Sequence, residues 1–347
     1  MNTLLLNPSA DPAAISVAAD LLRRGEVVGI PTETVYGLAA DACNVDAVHR
    51  IFAAKGRPQD NPLIVHIADF DQIADIAAVV PDEAKALAEA YWPGPMTIIL
   101  PKKEVIPFVT SGGLNTVGIR LPSHPLARAI IRAAGVPLAA PSANLSGRPS
   151  TTTAQHVLED LSGKIAAVVD GGPCSVGVES TVISLCGNVP RLLRPGGISL
   201  EQLEAVLGTV AVDRALREKI DDTETVSAPG MKYRHYAPKA PVTVVFGSPA
   251  QSAAYISAHL GENSGVLCFD DCADVFRGHA VVQTFGRSDD SAEQAREVFD
   301  ALRRFDATPV REIYAQCPPA TGIGLAVSNR IKKAAGFHVI DLTEDKP

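Results

Sequence analysis

The sequence has no C-x-x-C pair among its six cysteines, Cys43, Cys174, Cys186, Cys268, Cys272 and Cys317, which removes the zinc ribbon and the thioredoxin-type redox motif. Cys268 and Cys272 stand four apart with no His or Cys partner at finger spacing, so they read as two ordinary thiols in a reducing cytosol. Basic residues are not in excess: Lys+Arg is 31 against Asp+Glu 39, a net charge of −8. No global field exists to hold nucleic acid or anionic lipid, and an anionic ligand needs a local cluster of cations. The opening residues Met1 to Pro8 lack a basic n-region, and the run Leu4-Leu5-Leu6 is too short for a signal peptide or membrane span. A cytoplasmic protein with no membrane partner is expected. Also missing are the G-x-x-x-x-G-K-[ST] loop, a strand-linked G-x-G-x-x-G, the G-x-S-x-G elbow and H-E-x-x-H, so the standard NTPase, dinucleotide, serine-hydrolase and zinc-protease readings lose their main support. No internal repeat and no metal-ligand set is visible.

What is present is a chain of 347 residues, 46% hydrophobic and 20% charged, long enough for about two domains with a sizeable core. Asp11-Pro12 reads as the start of a helix with Ile15, Ala18, Ala19 and Leu22 on one face and Gly25 as its stop. A short buried strand at 26–30 then leads through a loop into a second helix at 44–55, closed by Gly56. Further β-rich runs at 63–67, 97–100, 116–121, 166–169, 181–185 and 191–193 alternate with helical stretches to about residue 207, the pattern of an α/β domain. Residues 208–240 change character, with the charged stretch 213–224 followed by the turn-rich APGMKYRHYAP, and read as a linker. Residues 241–347 again alternate strand and helix, predicting a small parallel α/β domain.

Four segments carry chemistry. Pro31-Thr32-Glu33-Thr34-Val35-Tyr36-Gly37-Leu38 leaves the 26–30 strand at its carboxyl end, where open α/β sheets place ligand crevices; alternatively its threonines satisfy a turn and Tyr36 fills the core. Lys55-Gly56-Arg57 puts a point charge and a planar fork at a helix end, a combination suited to polyphosphate, although a lysine in a last helical turn is also favoured by the macrodipole. Arg120 interrupts an apolar strand, so it recognises a carboxylate or phosphate, or it is held in an ion pair whose partner the sequence does not name. Pro141-Ser142-Ala143-Asn144 opens an apolar strand into small polar side chains that let a ligand reach the backbone. Ser180-Thr181 and Arg194-Pro195-Gly196 repeat the pattern of polar or cationic residues at strand edges.

Taken together and in order, PTETVYGL (31–38), KGRPQDNPLIVH (55–66), YWPGPMT (91–97), the strand with Arg120, PSAN (141–144), ESTV (179–182) and RPG (194–196) resemble the threonylcarbamoyl-AMP synthase family, built on a YrdC-like domain, in its longer two-domain form. The resemblance spans the whole chain. It implies a YrdC-like twisted mixed-sheet domain with helices at 1–207, a linker at 208–240 and a Rossmann-like parallel α/β domain at 241–347. It implies an enzyme that joins L-threonine, bicarbonate and ATP into L-threonylcarbamoyl-adenylate with release of pyrophosphate, assisted by Mg²⁺. The product serves N6-threonylcarbamoyladenosine at position 37 of ANN-decoding tRNAs through a downstream threonylcarbamoyl-transfer machinery. Carried over by motif, Lys55, Arg57, Ser142 and Asn144 form a tetrad around the phosphates and the reacting carbamate. Arg120 clamps the threonine carboxylate, and Thr34, His66, Ala140 and Ser180 or Thr181 shape the amino-acid pocket. Asn61, Thr116, Ser150 and Arg194, with the linker's Tyr233, Arg234 and His235 folded back as a lid, contact ATP. The linker opens with Ala228 where the family often has Ser, which removes one hydroxyl from that turn.

Two other functions compete with this one. Carbamoyl transfer in hydrogenase maturation uses a related domain, but with an acylphosphatase module and paired C-x-x-C zinc sites that this sequence lacks. A translation-regulating RNA-binding module needs a broad basic face, which the net charge of −8 opposes, leaving room for weak tRNA contact through one patch.

Overall fold

In the computed structural model, which describes residues 2–216 and 235–343, the chain starts with strand β1 (Leu4–Leu6) and helix α1 (Ala14–Arg23). There follow β2 (Val28–Ile30), β3 (Gly37–Asp41), α2 (Val45–Lys55), β4 (Ile64–His66), α3 (Ile73–Ile76), α4 (Asp82–Tyr91), β5 (Met96–Pro101), β6 (Thr116–Arg120), α5 (Pro125–Ala134) and β7 (Leu138–Ala139). The first unit is completed by α6 (Ala154–Leu161), β8 (Ala167–Val169), β9 (Thr181–Ser184), β10 (Arg191–Arg194), α7 (Leu200–Leu207) and β11 (Ala211–Val212). Among the described residues, this unit holds 2–146 and 150–216, and a second holds 147–149 and 235–343.

The strands of the first unit form one mixed sheet in the order β1-β8-β2-β3-β7-β4-β6-β5-β9-β10-β11. Side-chain alternation sorts its faces. In β8, Ala167 and Val169 join Val28, Ile30, Ala18, Leu22, Ile130 and Ile131 in one apolar cluster under α1 and α5. Val168 between them faces a second cluster with Leu38, Val65, Ile98, Ile119 and the inward residues Ile51, Phe52, Leu87, Val157 and Leu203 of α2, α4, α6 and α7. Each such buried Leu, Ile or Phe contributes about 1.5–3 kcal/mol, so covering both faces is what makes so wide a sheet stable.

Two local expectations differ from the structure. The stretch between β2 and α2 is not all loop: Gly37–Asp41 forms β3, antiparallel to both β2 and β7. Helix α1 begins three residues after Asp11, because the Asp11 carboxylate accepts from the Ala13 N–H at 2.9 Å and caps a turn instead. Elsewhere the local signals act as written. Asn44 caps α2 by accepting from the N–H groups of Asp46 and Ala47, and Gly56 ends it in the left-handed region at φ 62°.

The second unit contains β12 (Val242–Phe246), α8 (Pro249–His259), β13 (Ser264–Cys268), β14 (Val281–Thr284), α9 (Ser291–Arg304), β15 (Glu312–Gln316), α10 (Gly324–Ala334) and β16 (Val339–Asp341). Its sheet is parallel throughout, in the order β14-β13-β15-β12-β16. The phenylalanines 269, 276, 285, 299 and 305 are fully buried in its core. This is the Rossmann-like arrangement expected after a mixed-sheet domain.

Candidate active site

Register places three polar side chains in one row across the first sheet. His66 at the end of β4 is paired with Arg120 at the end of β6, and Arg120 with Thr97 near the start of β5. All three are buried in a sheet whose other rows are largely apolar, so each needs a partner. Thr97 finds the Ser180 hydroxyl at 2.8 Å. His66 sets Nδ1 3.2 Å from the Ile64 carbonyl. Burial, with the nearby Arg120 charge, pushes this imidazole down to about 3, which keeps it neutral at physiological pH.

Arg120 reaches into the 31–36 loop. Its Nη1 donates to Thr34 Oγ1 at 2.9 Å, and its Nη2 lies 2.7 Å from Glu33 Oε1 in an ion pair whose side chains are only 5% and 6% exposed. Burial alone would raise the Glu33 carboxyl, but the Arg120 guanidinium beside it and the Ser123 backbone hold it below its ordinary value. Both alternatives for this loop and this arginine are therefore realised in part. Thr32 does satisfy the turn, accepting from the N–H groups of Thr34 and Val35, and Tyr36 is buried with its hydroxyl donating to the Gly172 carbonyl at 2.8 Å. Thr34 and Glu33, in contrast, face the arginine. The Nε and Nη2 of Arg120 are both buried without a hydrogen-bond partner, although Nη2 faces Glu33 in the ion pair, so the fork keeps donor capacity for a ligand.

The PSAN segment lies against that loop. Gly37 bridges to Ser142, and the Ala143 N–H donates to the Tyr36 carbonyl at 2.8 Å. From the other side comes Lys55, the last residue of α2, which is 2% exposed. Its ammonium donates to the carbonyls of Ser142 and Asn144, the latter at 2.6 Å, and lies 3.5 Å from Asn144 Oδ1. Lys55, Ser142 and Asn144 are thus gathered. Arg57 turns toward its own loop, with Nη2 donating to the carbonyls of Asn61 and Pro62 at 3.4 and 3.2 Å. Asn61 is 1% exposed and its Oδ1 has no hydrogen-bond partner. Leaving such an acceptor unpaired costs about 1–3 kcal/mol, a cost that a ligand donor would relieve. Ala140 lies beside this group on backbone pairing, its N–H donating to the Ile64 carbonyl at 3.0 Å.

A third group lies along β9. Arg194, 5% exposed, donates from Nε and Nη2 to the Ser180 carbonyl at 3.1 and 3.0 Å and from Nη2 to the Ser180 hydroxyl at 3.0 Å. The Thr181 hydroxyl donates to the Ile198 carbonyl at 2.6 Å and accepts its N–H at 2.9 Å, so it ties β9 to the chain after β10. Ser150 Oγ donates to Glu179 Oε1 at 2.5 Å. Thr116 opens β6 and is half-buried. Tyr233 and Arg234 lie outside the described residues, and His235 belongs to the second unit, its ring 5.6 Å from that of Tyr236.

Glu33, Thr97 and Glu179 join the site without having been expected there. The signal for Glu33 was available: a carboxylate among threonines at an apolar strand exit obeys the same pairing rule as Arg120 in its apolar strand. Among the described residues, no group of three or more His, Cys, Asp or Glu side chains could hold a metal ion. Chemically the site offers buried cations, hydroxyls and amides beside a neutral imidazole and an ionised carboxylate. Such a set recognises carboxylate and phosphate and stabilises charge.

Comparison with known proteins adds sequence and fold to this geometry. Residues 20–196 match the protein family described as "Telomere recombination", and residues 198–336 the one described as "Threonylcarbamoyl-AMP synthase, C-terminal domain". A Bacillus subtilis protein named threonylcarbamoyl-AMP synthase is 51% identical over 336 residues, covering 96% of each chain. A Pyrococcus abyssi protein of the same name is 47% identical over 332 residues, covering 94% of this chain and 95% of its own. The crystal structure of P. abyssi Sua5 complexed with L-threonine superposes with a TM-score of 0.91 at 44% identity, covering 99% of this chain and 100% of the other.

Proposed function

The chain belongs to the threonylcarbamoyl-AMP synthases in their two-domain form, and from that membership we propose how its site divides the work. It is an ATP-dependent enzyme that makes L-threonylcarbamoyl-adenylate from L-threonine, bicarbonate and ATP, for the threonylcarbamoyladenosine modification of tRNA. The amine of threonine captures CO₂ as a carbamate, and a carbamate oxygen displaces pyrophosphate from the α-phosphate in line. Positioning and charge neutralisation dominate such transfers.

In this reading Arg120, held by Glu33 and Thr34, takes the amino-acid carboxylate, and His66, Ala140 and Ser180 or Thr181 shape the rest of that pocket. Lys55, Arg57, Ser142 and Asn144 meet the phosphates and the carbamate; Asn61, Thr116, Ser150 and Arg194 hold the nucleotide. One observation carries the assignment: the Lys55 ammonium is seated on the carbonyls of Ser142 and Asn144, so three of the four tetrad residues sit within hydrogen-bond reach. The donors there do not form a cage for Mg²⁺, which in this reading arrives on the phosphates of ATP, and no step is routed through it. We place the enzyme in the cytoplasm, passing its product to a tRNA threonylcarbamoyl-transfer machinery; no helix among the described residues is long and apolar enough to cross a membrane.

The test is pyrophosphate release from ATP, with and without bicarbonate, and with threonine against serine and valine. Release should require both bicarbonate and threonine; release indifferent to threonine rejects the reading. Within the same assay, Arg120→Ala should chiefly raise KM for threonine and Lys55→Ala chiefly lower kcat, and the reverse pattern would mean the two roles are exchanged.

A further inference from the structure

Thr97 stands opposite Arg120 in the register of the first sheet, in the row that also holds His66. On its other side β5 pairs with β9, where Val182 is its partner and Ser180 lies two residues earlier. Thr97 is 0% and Ser180 1% exposed. Packing sets how Thr97 stands: a Cβ placed on Gly118 would come within 3.1 Å of Thr97 Cγ2, so the methyl lies over bare backbone of β6 and the hydroxyl meets Ser180. Ser180 is fixed from behind, its carbonyl accepting from Nε and Nη2 of Arg194 at 3.1 and 3.0 Å.

The hydrogen bonds of the two hydroxyls do not balance. Thr97 Oγ1 and Ser180 Oγ are 2.8 Å apart, and either can donate to the other. Arg194 Nη2, which can only donate, gives a proton to Ser180 Oγ at 3.0 Å. If Thr97 donates to Ser180, the Ser180 proton is left over; if Ser180 donates onward to Thr97, the Thr97 proton is left over. In both arrangements one buried O–H has no acceptor among the described residues. A buried donor in that state is unfavourable and needs an explanation, and a guanidinium at the head of such a chain makes its last proton a stronger donor.

We propose that Thr97 is a positioning residue of the amino-acid pocket: Arg194, Ser180 and Thr97 form one hydrogen-bond chain whose spare proton serves an acceptor oxygen of the bound amino acid. That oxygen belongs either to the carboxylate beside Arg120 or to the β-hydroxyl. An apolar group at this point leaves the proton unmatched and is selected against. The proposal rests on the reading that Ser180 and Arg120 line the amino-acid pocket.

The experiment measures pyrophosphate release by the full chain and by Thr97→Val, Thr97→Ala, Thr97→Ser, Ser180→Ala and the Thr97→Val/Ser180→Ala pair, each checked by thermal unfolding. Thr97→Val keeps the methyl over Gly118 and removes the hydroxyl. It should raise KM for threonine about three- to tenfold, as loss of one hydrogen bond does, with kcat and KM for ATP within about twofold. Thr97→Ala, a second variant without the hydroxyl, carries the same expectation, and Thr97→Ser should recover most of the loss. The pair should be no worse than Ser180→Ala alone, because the chain is already broken there. Valine as substrate tells the two oxygens apart: service to the β-hydroxyl lowers the preference for threonine over valine in Thr97→Val, whereas service to the carboxylate weakens both amino acids equally. A folded hydroxyl-free variant with wild-type KM for threonine overturns the proposal while Ser180→Ala is impaired, as does a loss confined to kcat or to KM for ATP, or losses that multiply in the pair. Wild-type KM for threonine in Ser180→Ala instead removes the underlying assignment of Ser180, and the proposal with it.

Discussion

His66 gives the first unit an acid sensitivity that can be signed and sized. In the unfolded chain its imidazole takes up a proton as pH falls below about 6.5, whereas in the folded chain burial holds that event down to about 3. Stability therefore falls as pH drops through this window, by about 2 kcal/mol between pH 7 and pH 5 for this group. Glu33 acts in the same direction at lower pH: its carboxyl is held below the ordinary value, so stability present above that value is lost as pH falls through the folded one. Urea midpoints at both pH values should show His66→Gln losing about 2 kcal/mol less than the wild type over that interval; an unchanged loss would place the acid sensitivity elsewhere. At this scale the sequence was half legible. Arg120 announced itself as a charge needing a partner, but the choice among the many acidic residues was not local. Glu33 meets it only because the 31–36 loop, Arg120 and Thr34 are brought together across 86 positions of chain.

Among elements, the turn after β10 shows how little freedom the site's supports have. A Cβ on Gly196 would overlap the backbone of Glu179, Ser180 and Thr181, the stretch on which Arg194 and Thr97 converge. Gly196→Ala has no side chain to bend out of the way, only backbone to displace. It should reduce stability by about 1–3 kcal/mol, as overpacking does, and lower activity beyond what the stability loss explains; thermal unfolding with activity below the transition checks both, and a silent variant would show the turn to be compliant. Element legibility followed local chemistry. α2 and α5 carry their own caps and apolar stripes and were readable. β3 was not, because Leu-Ala-Ala-Asp after a glycine has weak strand preference and is made a strand by β2 and by the distant β7. β1 has the same character, three residues paired only to β8.

For the molecule as a whole, the two units can be watched apart because the chain has a single tryptophan. Trp92 lies in the first unit, its indole N–H donating to the Met96 carbonyl at 2.7 Å. Threonine binds in the first unit if the site is assigned correctly, so at 100 times its Kd it should raise the stability read by tryptophan fluorescence by about 2.7 kcal/mol. Valine at the same concentration should move it less, and a midpoint unmoved by threonine would exclude the Arg120 pocket. The division into a mixed-sheet unit and a parallel one was legible from the alternation of strands and helices and from the ordered motifs. The membership of Gly147–Pro149 in the second unit was not, since no sequence pattern links three loop residues to a helix end so far downstream.

That separation has a consequence in time. Arg148 and Asp306 are 158 positions apart, and a ribosome adding about 5–20 residues per second takes roughly 8–30 s to travel between them. Throughout that interval the nascent chain already carries Arg148 and Pro149 but not yet both Arg303 and Asp306, which hold them. The second unit thus cannot close around this early segment of chain until α9 and the turn after it have been synthesised.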